Sequence, residues 1–341
     1  MPPLHQADGP SASGHQGGCA PARILGSLLA MRVLAVTPNV AVDRTLEVPG
    51  FAAGAVWRAR STSVVCGGKG INVARAVTAL GEAATCAGLV GGHGGRLAAE
   101  AAAAEGLETA WTWITGESRT CVIIVGAGEA TVINEAGPSV SPAEWSRFIS
   151  DLARAAAAAD VVCVSGSVPP GLDAEAIADL VAAAGRGGTP VWVDGSGDAL
   201  SAALTARPFG IKINADEAGE LLGCRVRSRQ DAAAAAGSII AHGVLAAAVT
   251  LGADGAVLAC GDGTWIAGAP QVRAVSAVGS GDAFLAGLVV GWGRDLGPAA
   301  ALQLATAAGA ANALQPTARL DPGDVARLLG DTEVAVQAHA G

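Results

Sequence analysis

The 341-residue chain is 51% hydrophobic and only 15% charged, a composition that supports a large buried core and argues against extensive disorder. Its net charge of −9, without any basic run, argues against nucleic acid as the main partner. The seven scattered cysteines form no CxxC pair, and no 18 apolar residues occur in succession, which favours a reduced cytosolic protein over a disulfide-rich, zinc-binding or membrane-spanning one.

The elements predicted along the chain are those of an α/β protein. Residues 1–30, rich in Gly, Pro, Ala, Ser and His, are expected to be a disordered extension without a signal peptide. Beyond them, strands are predicted at residues 33–36, 84–90, 161–165, 191–194, 210–213 and 246–250. Helices are predicted at residues 71–80, 97–105, 174–184, 215–222, 231–242, 283–291 and 298–313. This alternation predicts a mainly parallel sheet with helices on both faces and binding at the carboxyl ends of its strands.

Two stretches break the alternation of strands and helices. Residues 45–65 and 120–134 are both strand-like and lack an intervening helix, and the second predicts a hairpin around residues 126–129. We interpret them as a small inserted sheet that serves as a lid and excludes water from a site. An ordinary edge meander is the alternative.

A glycine-rich loop, CGGKGIN at residues 66–72, opens the first predicted helix. Glycines allow the backbone to approach an anion, and a helix N-terminus favours negative charge. Lys69 adds a full positive charge and is one of only two lysines in the chain, with Lys212. Gly70 stands where a Walker A loop requires Ser or Thr, so this is not a Walker A loop. A purely structural turn explains the loop about as well.

A second glycine-rich segment, VGSGD at residues 278–282, opens a late predicted helix. The backbone N–H groups of Gly-Ser-Gly can form a nest for a developing phosphoryl charge. Beside that nest, Asp282 can accept the proton of a hydroxyl group. The alternative is an ordinary Asp at a helix N-terminus.

Two further motifs follow predicted strands. In KINADE, Asn214 and Glu217 stand three apart at a helix start and can hold a hydrated Mg2+, although a capping box has the same spacing. The segment VTLGADG, at residues 249–255, suits contacts with a nucleotide, although a plain hairpin explains it too.

Two charged residues are candidates for holding a sugar. Asp43 follows the first strand in TPNVAVD and can accept hydrogen bonds from sugar hydroxyls, with a turn residue as the alternative. Arg119 precedes the lid hairpin and can clamp a substrate phosphate, although arginines on hairpins are usually solvated.

Together these motifs resemble the ribokinase-like carbohydrate kinases, also called the phosphofructokinase-B family. Within this family they are most similar to the branch of 1-phosphofructokinases and tagatose-6-phosphate kinases. The motifs that carry this similarity are TPNVAVD, GGKGINVARAV, SRTCVII, VSGSVPPG, VDGSGDAL, KINADE and VGSGDAFLAG. The resemblance implies a ribokinase-like α/β kinase domain over residues 31–330, with lid strands from about 45–65 and 120–134, and a C-terminal tail at 331–341. It also implies Mg-ATP as the donor, a sugar phosphate as the acceptor and a homodimer formed through the lid sheets.

The resemblance also implies roles for particular positions. It makes Asp282 the catalytic base and assigns the anion hole to Gly279, Ser280 and Gly281. The sugar phosphate is assigned to Asp43, Gly68, Lys69, Asn72 and Arg119. The nucleotide phosphates and Mg2+ are assigned to Lys212, Asn214 and Glu217, the last two binding the metal through water. The nucleotide pocket is assigned to Thr250, Gly252, Asp254 and Gly255.

The chain departs from the family pattern without losing a catalytic group. Val40, Ile213, Ser280 and Ala283 replace the usual residues, and the loop at 91–95 lacks an acidic residue, which leaves the choice of acceptor open.

The leading hypothesis is ATP-dependent phosphorylation of fructose 1-phosphate to the 1,6-bisphosphate, with fructose 6-phosphate and tagatose 6-phosphate as alternative acceptors. A non-catalytic sugar-phosphate sensor is the hypothesis from another class. A nicotinamide dehydrogenase is disfavoured because no GxGxxG follows the first strand.

Overall fold

A computed structural model describes residues 30–126, 130–261 and 263–337 of the chain. The predicted N-terminal extension therefore lies, apart from Ala30, outside the described residues, as does most of the predicted turn at 126–129.

The strands are β1 (Arg32–Thr37), β2 (Ala41–Glu47), β3 (Ser61–Gly67), β4 (Ala83–Gly91), β5 (Glu108–Ile114), β6 (Arg119–Val125), β7 (Ala130–Asn134), β8 (Val161–Ser165), β9 (Val191–Asp194), β10 (Gly210–Asn214), β11 (Ala246–Thr250), β12 (Ala256–Cys260), β13 (Gly263–Ala267) and β14 (Val334–Gln337). The helices are α1 (Lys69–Ala79), α2 (Gly92–Ala104), α3 (Pro142–Ala156), α4 (Ala176–Ala184), α5 (Gly197–Thr205), α6 (Ala215–Leu222), α7 (Arg229–Ile240), α8 (Ser280–Gly293), α9 (Gly297–Ala313) and α10 (Pro322–Gly330).

The large sheet has ten strands in the order β14-β13-β12-β11-β10-β9-β8-β1-β4-β5. From β11 to β5 all neighbours are parallel. β12, β13 and β14 are added antiparallel, the last of them after three intervening helices. The strand order reverses at β1. β4 and β5 lie on one side of β1, and β8, β9, β10 and β11 lie on the other. In open α/β sheets a crevice forms at this reversal, at the carboxyl ends of the strands.

The chain buries two apolar layers, one on each face of the large sheet. One layer contains buried residues of α1, α2, α8 and α9, and the other contains those of α3, α4, α5, α6 and α7. Both faces of the parallel strands are covered, which is why β1, β8 and β9 are almost continuously apolar. None of the helices in the described ranges has the length and hydrophobicity of a membrane span.

A second, four-stranded sheet in the order β3-β2-β6-β7 stands apart from the large one. Its strands come mainly from the two stretches in which the sequence showed strands without helices. The predicted small inserted sheet and the predicted α/β fold are both confirmed, and the role of the small sheet as a lid stays a prediction. Residues 331–341 were assigned to a tail, but Val334–Gln337 within them form β14 at the edge of the large sheet.

Helices α8 and α9 pack with their backbones unusually close. A Cβ atom at Gly287 of α8 would lie 2.7 Å from Ala305 Cα and 2.9 Å from Leu304 O of α9. Every residue from Asp282 to Gly291 is buried, so α8 has no solvent-facing side over this length. The helix that carries the predicted base is therefore held rigidly in the core.

We expect Gly287→Ala to lower the free energy of unfolding by about 1–3 kcal/mol, because a methyl group would force the α8 and α9 backbones apart. Gly237→Ala is the matched control, since Gly237 also lies inside a helix but nothing lies within 4 Å of the position of its Cβ. That change should raise stability by about 0.5–1 kcal/mol through helix propensity. Urea unfolding of both variants tests the packing, and equal effects would contradict it.

Candidate active site

The predicted base lies at the mouth of α8. Gly279 is the N-cap residue in a left-handed conformation (φ 82°), and Asp282 is in the first turn. A side chain at Gly279 would be strained and would also collide with Ala318, 2.5 Å from the Cβ position, so glycine is required. The Ser280 N–H donates to Ala277 O. The amides of Gly281 and Asp282, which have no acceptor within the helix, are then the donors left at the N-terminus of α8.

Asp282 is a buried carboxylate, only 6% exposed, with one direct side-chain partner. Asn72 Nδ2 donates to its Oδ2 over 2.8 Å. Burial, together with the charge of Asp194, raises the pKa of Asp282 to about 6, against the opposing effects of Lys212, Asn72 and Lys69. A carboxyl group with this pKa is ionised at neutral pH yet basic enough to accept a proton from a hydroxyl in a transition state.

The two lysines of the chain meet on one carboxylate, Asp194. Lys69 Nζ lies 3.0 Å from Asp194 Oδ1, and Lys212 Nζ lies 2.9 Å from Oδ2. Burial opposes ionisation of Asp194, but the two ammonium groups outweigh it and hold the pKa of Asp194 below its usual value. Burial alone would likewise lower the pKa of Lys69, but Asp194 raises it, so Lys69 stays charged.

Lys212 also touches the mouth of α8. A Cβ at Gly281 would lie 2.7 Å from Lys212 Nζ, so the absence of a side chain there lets the ammonium lie against the helix N-terminus. The side chain of Lys212 is 5% exposed and that of Lys69 is 39% exposed. The site therefore combines a partly buried and a fully buried cation beside the predicted base.

The residues predicted to hold the acceptor lie on the small sheet and at the start of α1. Asp43 on β2 has its pKa raised by burial, an effect that Arg75 and Arg119 oppose. Arg119 Nε donates to Asn39 O and its Nη1 to Glu135 O, both at 3.2 Å, which anchors its guanidinium to backbone at the lid base. Gly68 is the N-cap residue of α1, directly before Lys69.

The residues predicted for the nucleotide side lie at the carboxyl ends of β10 and β11. Asn214 and Thr250 are register partners on these parallel strands. Asn214 and Glu217 form the capping box that the sequence left as an alternative, with Asn214 Oδ1 accepting from Glu217 N and Glu217 Oε2 accepting from Asn214 N. The segment from Gly252 to Gly255 forms the tight hairpin between β11 and β12.

One oxygen of this capping box remains directed at the site. Glu217 Oε1 lies 3.8 Å from Lys69 Nζ. In the described ranges no three His, Cys, Asp or Glu side chains come together as a metal cage. This donor set fits a hydrated Mg2+ that arrives on nucleotide phosphates, because magnesium usually keeps several waters and takes only one or two protein carboxylates.

Sequence reasoning missed three residues that shape this site. Asp194 is a carboxylate at the carboxyl end of the buried strand β9, and a charged residue at such a position is the signal that could have identified it as a site residue. Arg75, one turn after Asn72, borders the cavity under the lid together with Asp43 and Asn72. Asn312 of α9 donates to Val278 O over 2.8 Å and so fixes the loop before Gly279, but nothing in its Ala-rich context marks it.

Known proteins resemble the chain over most of its length. Residues 31–322 match the model of the pfkB family carbohydrate kinases. The chain is 38% identical over 293 residues to a 1-phosphofructokinase of Rhodobacter capsulatus, covering 84% of this chain and 93% of the relative. It is 32% identical over 286 residues to a tagatose-6-phosphate kinase of Staphylococcus epidermidis, covering 83% and 92%.

Solved structures give the same result. The tetrameric inhibited form of phosphofructokinase-2 from Escherichia coli superposes with a TM-score of 0.82 at 25% identity, covering 89% of this chain and 99% of that one. The same enzyme in complex with fructose-6-phosphate gives a TM-score of 0.81 with the same identity and coverage.

We expect Asp194→Ala to lower the free energy of unfolding by about 3–5 kcal/mol, because it leaves the buried charge of Lys212 without its anion. The matched control is Asp324→Ala, which removes an ion pair with Arg327, whose side chain is 56% exposed. That pair should contribute no more than about 1 kcal/mol. Urea unfolding measures both, and a similarly small loss at Asp194 would show that Lys212 does not depend on this carboxylate.

Proposed function

The chain belongs to the pfkB family of carbohydrate kinases, and on that premise we propose that it uses ATP to phosphorylate fructose 1-phosphate. The observation that carries the proposal is the buried Asp282 carboxylate at the mouth of α8, beside the Asp194-bridged lysines. The relative that is 38% identical over most of the chain is a 1-phosphofructokinase, which favours fructose 1-phosphate as the acceptor.

The chemistry follows from what each group can do. Asp282 accepts the proton of the acceptor hydroxyl while that oxygen forms a bond to the γ-phosphorus and the bond to the β-phosphate oxygen breaks. The amides of Gly281 and Asp282 and the ammonium of Lys212 face the charge that develops on the transferred group. Lys69, whose Nζ lies 3.8 Å from Glu217 Oε1, would hold the sugar phosphate together with Asp43 and Arg119 on the lid strands.

Magnesium, when bound with the nucleotide, would neutralise phosphate charge and align the donor. Glu217 would hold it through water with Oε1, the oxygen that faces Lys69, and Asn214 would contribute by fixing Glu217 in the capping box. Thr250, Gly252, Asp254 and Gly255 lie on the neighbouring turn and would line the nucleotide pocket. We place the enzyme in the cytoplasm, where ATP and sugar phosphates are found.

The acceptor has one specific competitor. The Staphylococcus epidermidis relative, 32% identical, is a tagatose-6-phosphate kinase, so tagatose 6-phosphate is the second candidate. The two candidates differ in the carbon that carries the phosphate and in the configuration at C4, so the contacts that the pocket makes with these groups decide between them. A sugar-phosphate sensor without turnover is less consistent with a buried, proton-accepting carboxylate at this position.

We expect purified protein with Mg-ATP to release ADP fastest with fructose 1-phosphate in a panel that includes fructose 6-phosphate and tagatose 6-phosphate.

Asp282→Asn should lower kcat about 10²- to 10⁴-fold, because it removes the general base. The wild-type rate should fall as the pH drops below about 6, where Asp282 becomes protonated. Near-normal turnover by Asp282→Asn would refute the base, and no ADP release with any acceptor would refute the kinase activity.

We also propose a homodimer formed through the lid sheet. Strand β7 is exposed along its whole length, with Val132 44% and Ile133 56% exposed, although a small sheet normally covers its apolar faces. The structural neighbour phosphofructokinase-2 is an oligomer in its tetrameric inhibited form.

We expect sedimentation to show a dimer that Val132→Glu/Ile133→Glu converts to monomer, because charge on both faces of β7 prevents burial. Leu245→Glu, at a residue 58% exposed on the large domain, is the control and should leave the dimer intact. A wild-type monomer, or equal behaviour of the two variants, would rule out the lid interface.

A further inference from the structure

Arg75 is a buried arginine that the reaction described above does not use. It lies on α1, and only 10% of its side chain is exposed. Its Nε and Nη2 donate to the two oxygens of Glu105 over 2.7 and 2.8 Å, and Nη2 also donates to Cys66 O over 2.6 Å. Its remaining arm, Nη1, donates to Asn72 Oδ1 over 3.0 Å. The guanidinium is thus fixed on one side and offers a single donor to Asn72.

The direction of this last hydrogen bond follows from chemistry. An arginine has donors and no acceptor, so it can bind only the oxygen of the Asn72 amide. The amide nitrogen must then point the other way, where it donates to Asp282 Oδ2 over 2.8 Å. Without Arg75 the Asn72 amide could rotate and present its oxygen to a carboxylate, which is repulsive.

The consequence for Asp282 is geometric. One of its oxygens, Oδ2, is held by Asn72, so Oδ1 is the oxygen left to receive a proton. The charged groups that face Asp282 from the other elements are Asp194, Lys212 and Lys69, and none of them fixes its rotamer by a direct hydrogen bond. Within the described residues the orientation of this carboxylate therefore depends on Asn72.

Glu105 completes the arrangement. It is the C-cap residue of α2, so its forked contact with Arg75 joins the end of α2 to the active-site helix α1. A bidentate pair of this kind is both strong and geometrically specific, and a lysine could not reproduce it. The other ionisable groups close to Arg75 are Asp43, Cys66 and Cys86.

We propose that Arg75, held by Glu105, is a positioning residue that acts through Asn72 to fix the orientation of the Asp282 carboxylate. This inference rests on the proposed function, in which Asp282 is the base. Arg75 does not touch the reacting atoms, and it affects the orientation of Asp282 through the side-chain amide of Asn72.

A double-mutant cycle tests this path. Arg75→Met should lower kcat about 10- to 100-fold with little change in the KM for ATP, since a small displacement of a reacting group can cost about 10²-fold. In the Asn72→Ala background the same change should alter kcat less than about threefold, because the connecting amide is already gone. Glu105→Gln should act in the same direction as Arg75→Met but more weakly.

The control is Arg294→Met. Arg294, the C-cap residue of α8, donates one hydrogen bond to Glu82 over 2.7 Å beyond the end of α1, with 41% of its side chain exposed. Its loss therefore measures the effect of removing an arginine–carboxylate pair away from Asp282. Thermal unfolding of both variants separates folding from positioning. Independent, multiplicative effects of Arg75→Met and Asn72→Ala on kcat, or equal kcat losses in Arg75→Met and Arg294→Met, would overturn the proposal.

A readout without turnover separates this inference from the proposed function. Infrared difference spectra of each protein against its Asp282→Asn counterpart follow the titration of Asp282 directly. Its midpoint should rise in Arg75→Met, because the carboxylate loses a fixed donor, and should not move in Arg294→Met. An unmoved midpoint in Arg75→Met contradicts the positioning role, whereas a wild-type protein that titrates as expected but releases no ADP contradicts only the kinase proposal.

Discussion

The buried bridge of Lys69, Asp194 and Lys212 is the interaction on which the rest of the site depends. Asp194 comes from β9, Lys212 from β10 and Lys69 from the start of α1, so one carboxylate joins two sheet strands to the glycine loop beneath the lid. Burying these charges separately would be costly, and together they offset one another. The same bridge holds positive charge beside Asp282, where a protein of net charge −9 would otherwise repel phosphates.

The surroundings shift the pKa values of two carboxylates at this site, Asp194 and Asp282, in opposite directions. Asp194, between two ammonium groups, has a lowered pKa, whereas Asp282, more weakly compensated, has a pKa raised to about 6. Carboxylates whose environments separate their pKa values commonly divide acid–base and electrostatic roles. The rigid setting of α8 against α9 supports this division, because Asp282 cannot relax toward solvent without disturbing close backbone contacts.

The sequence was sufficient for the fold and insufficient for parts of the site. Strong local signals predicted β8, β9 and α6 with their bounds, and the absence of helices revealed the lid. Helix α3 was overlooked although its Ser141–Glu144 capping box and its buried apolar positions were visible in the chain. The role of Asp194 could not be deduced, because it depends on Lys69, which is 125 positions away and meets it only in the folded protein. The hydrogen bond between Asn72 and Asp282, which are 210 positions apart, could not be deduced for the same reason.

The scarcity of lysine in this chain has a practical consequence. Both lysine side chains lie on Asp194, and the chain has no others. Protein grown with isotope-labelled lysine would therefore give side-chain NMR signals from the active site alone, without mutation or chemical tagging. The more exposed Lys69 and the enclosed Lys212 should differ in exchange of their ammonium protons with water, so their two resonances should be distinguishable.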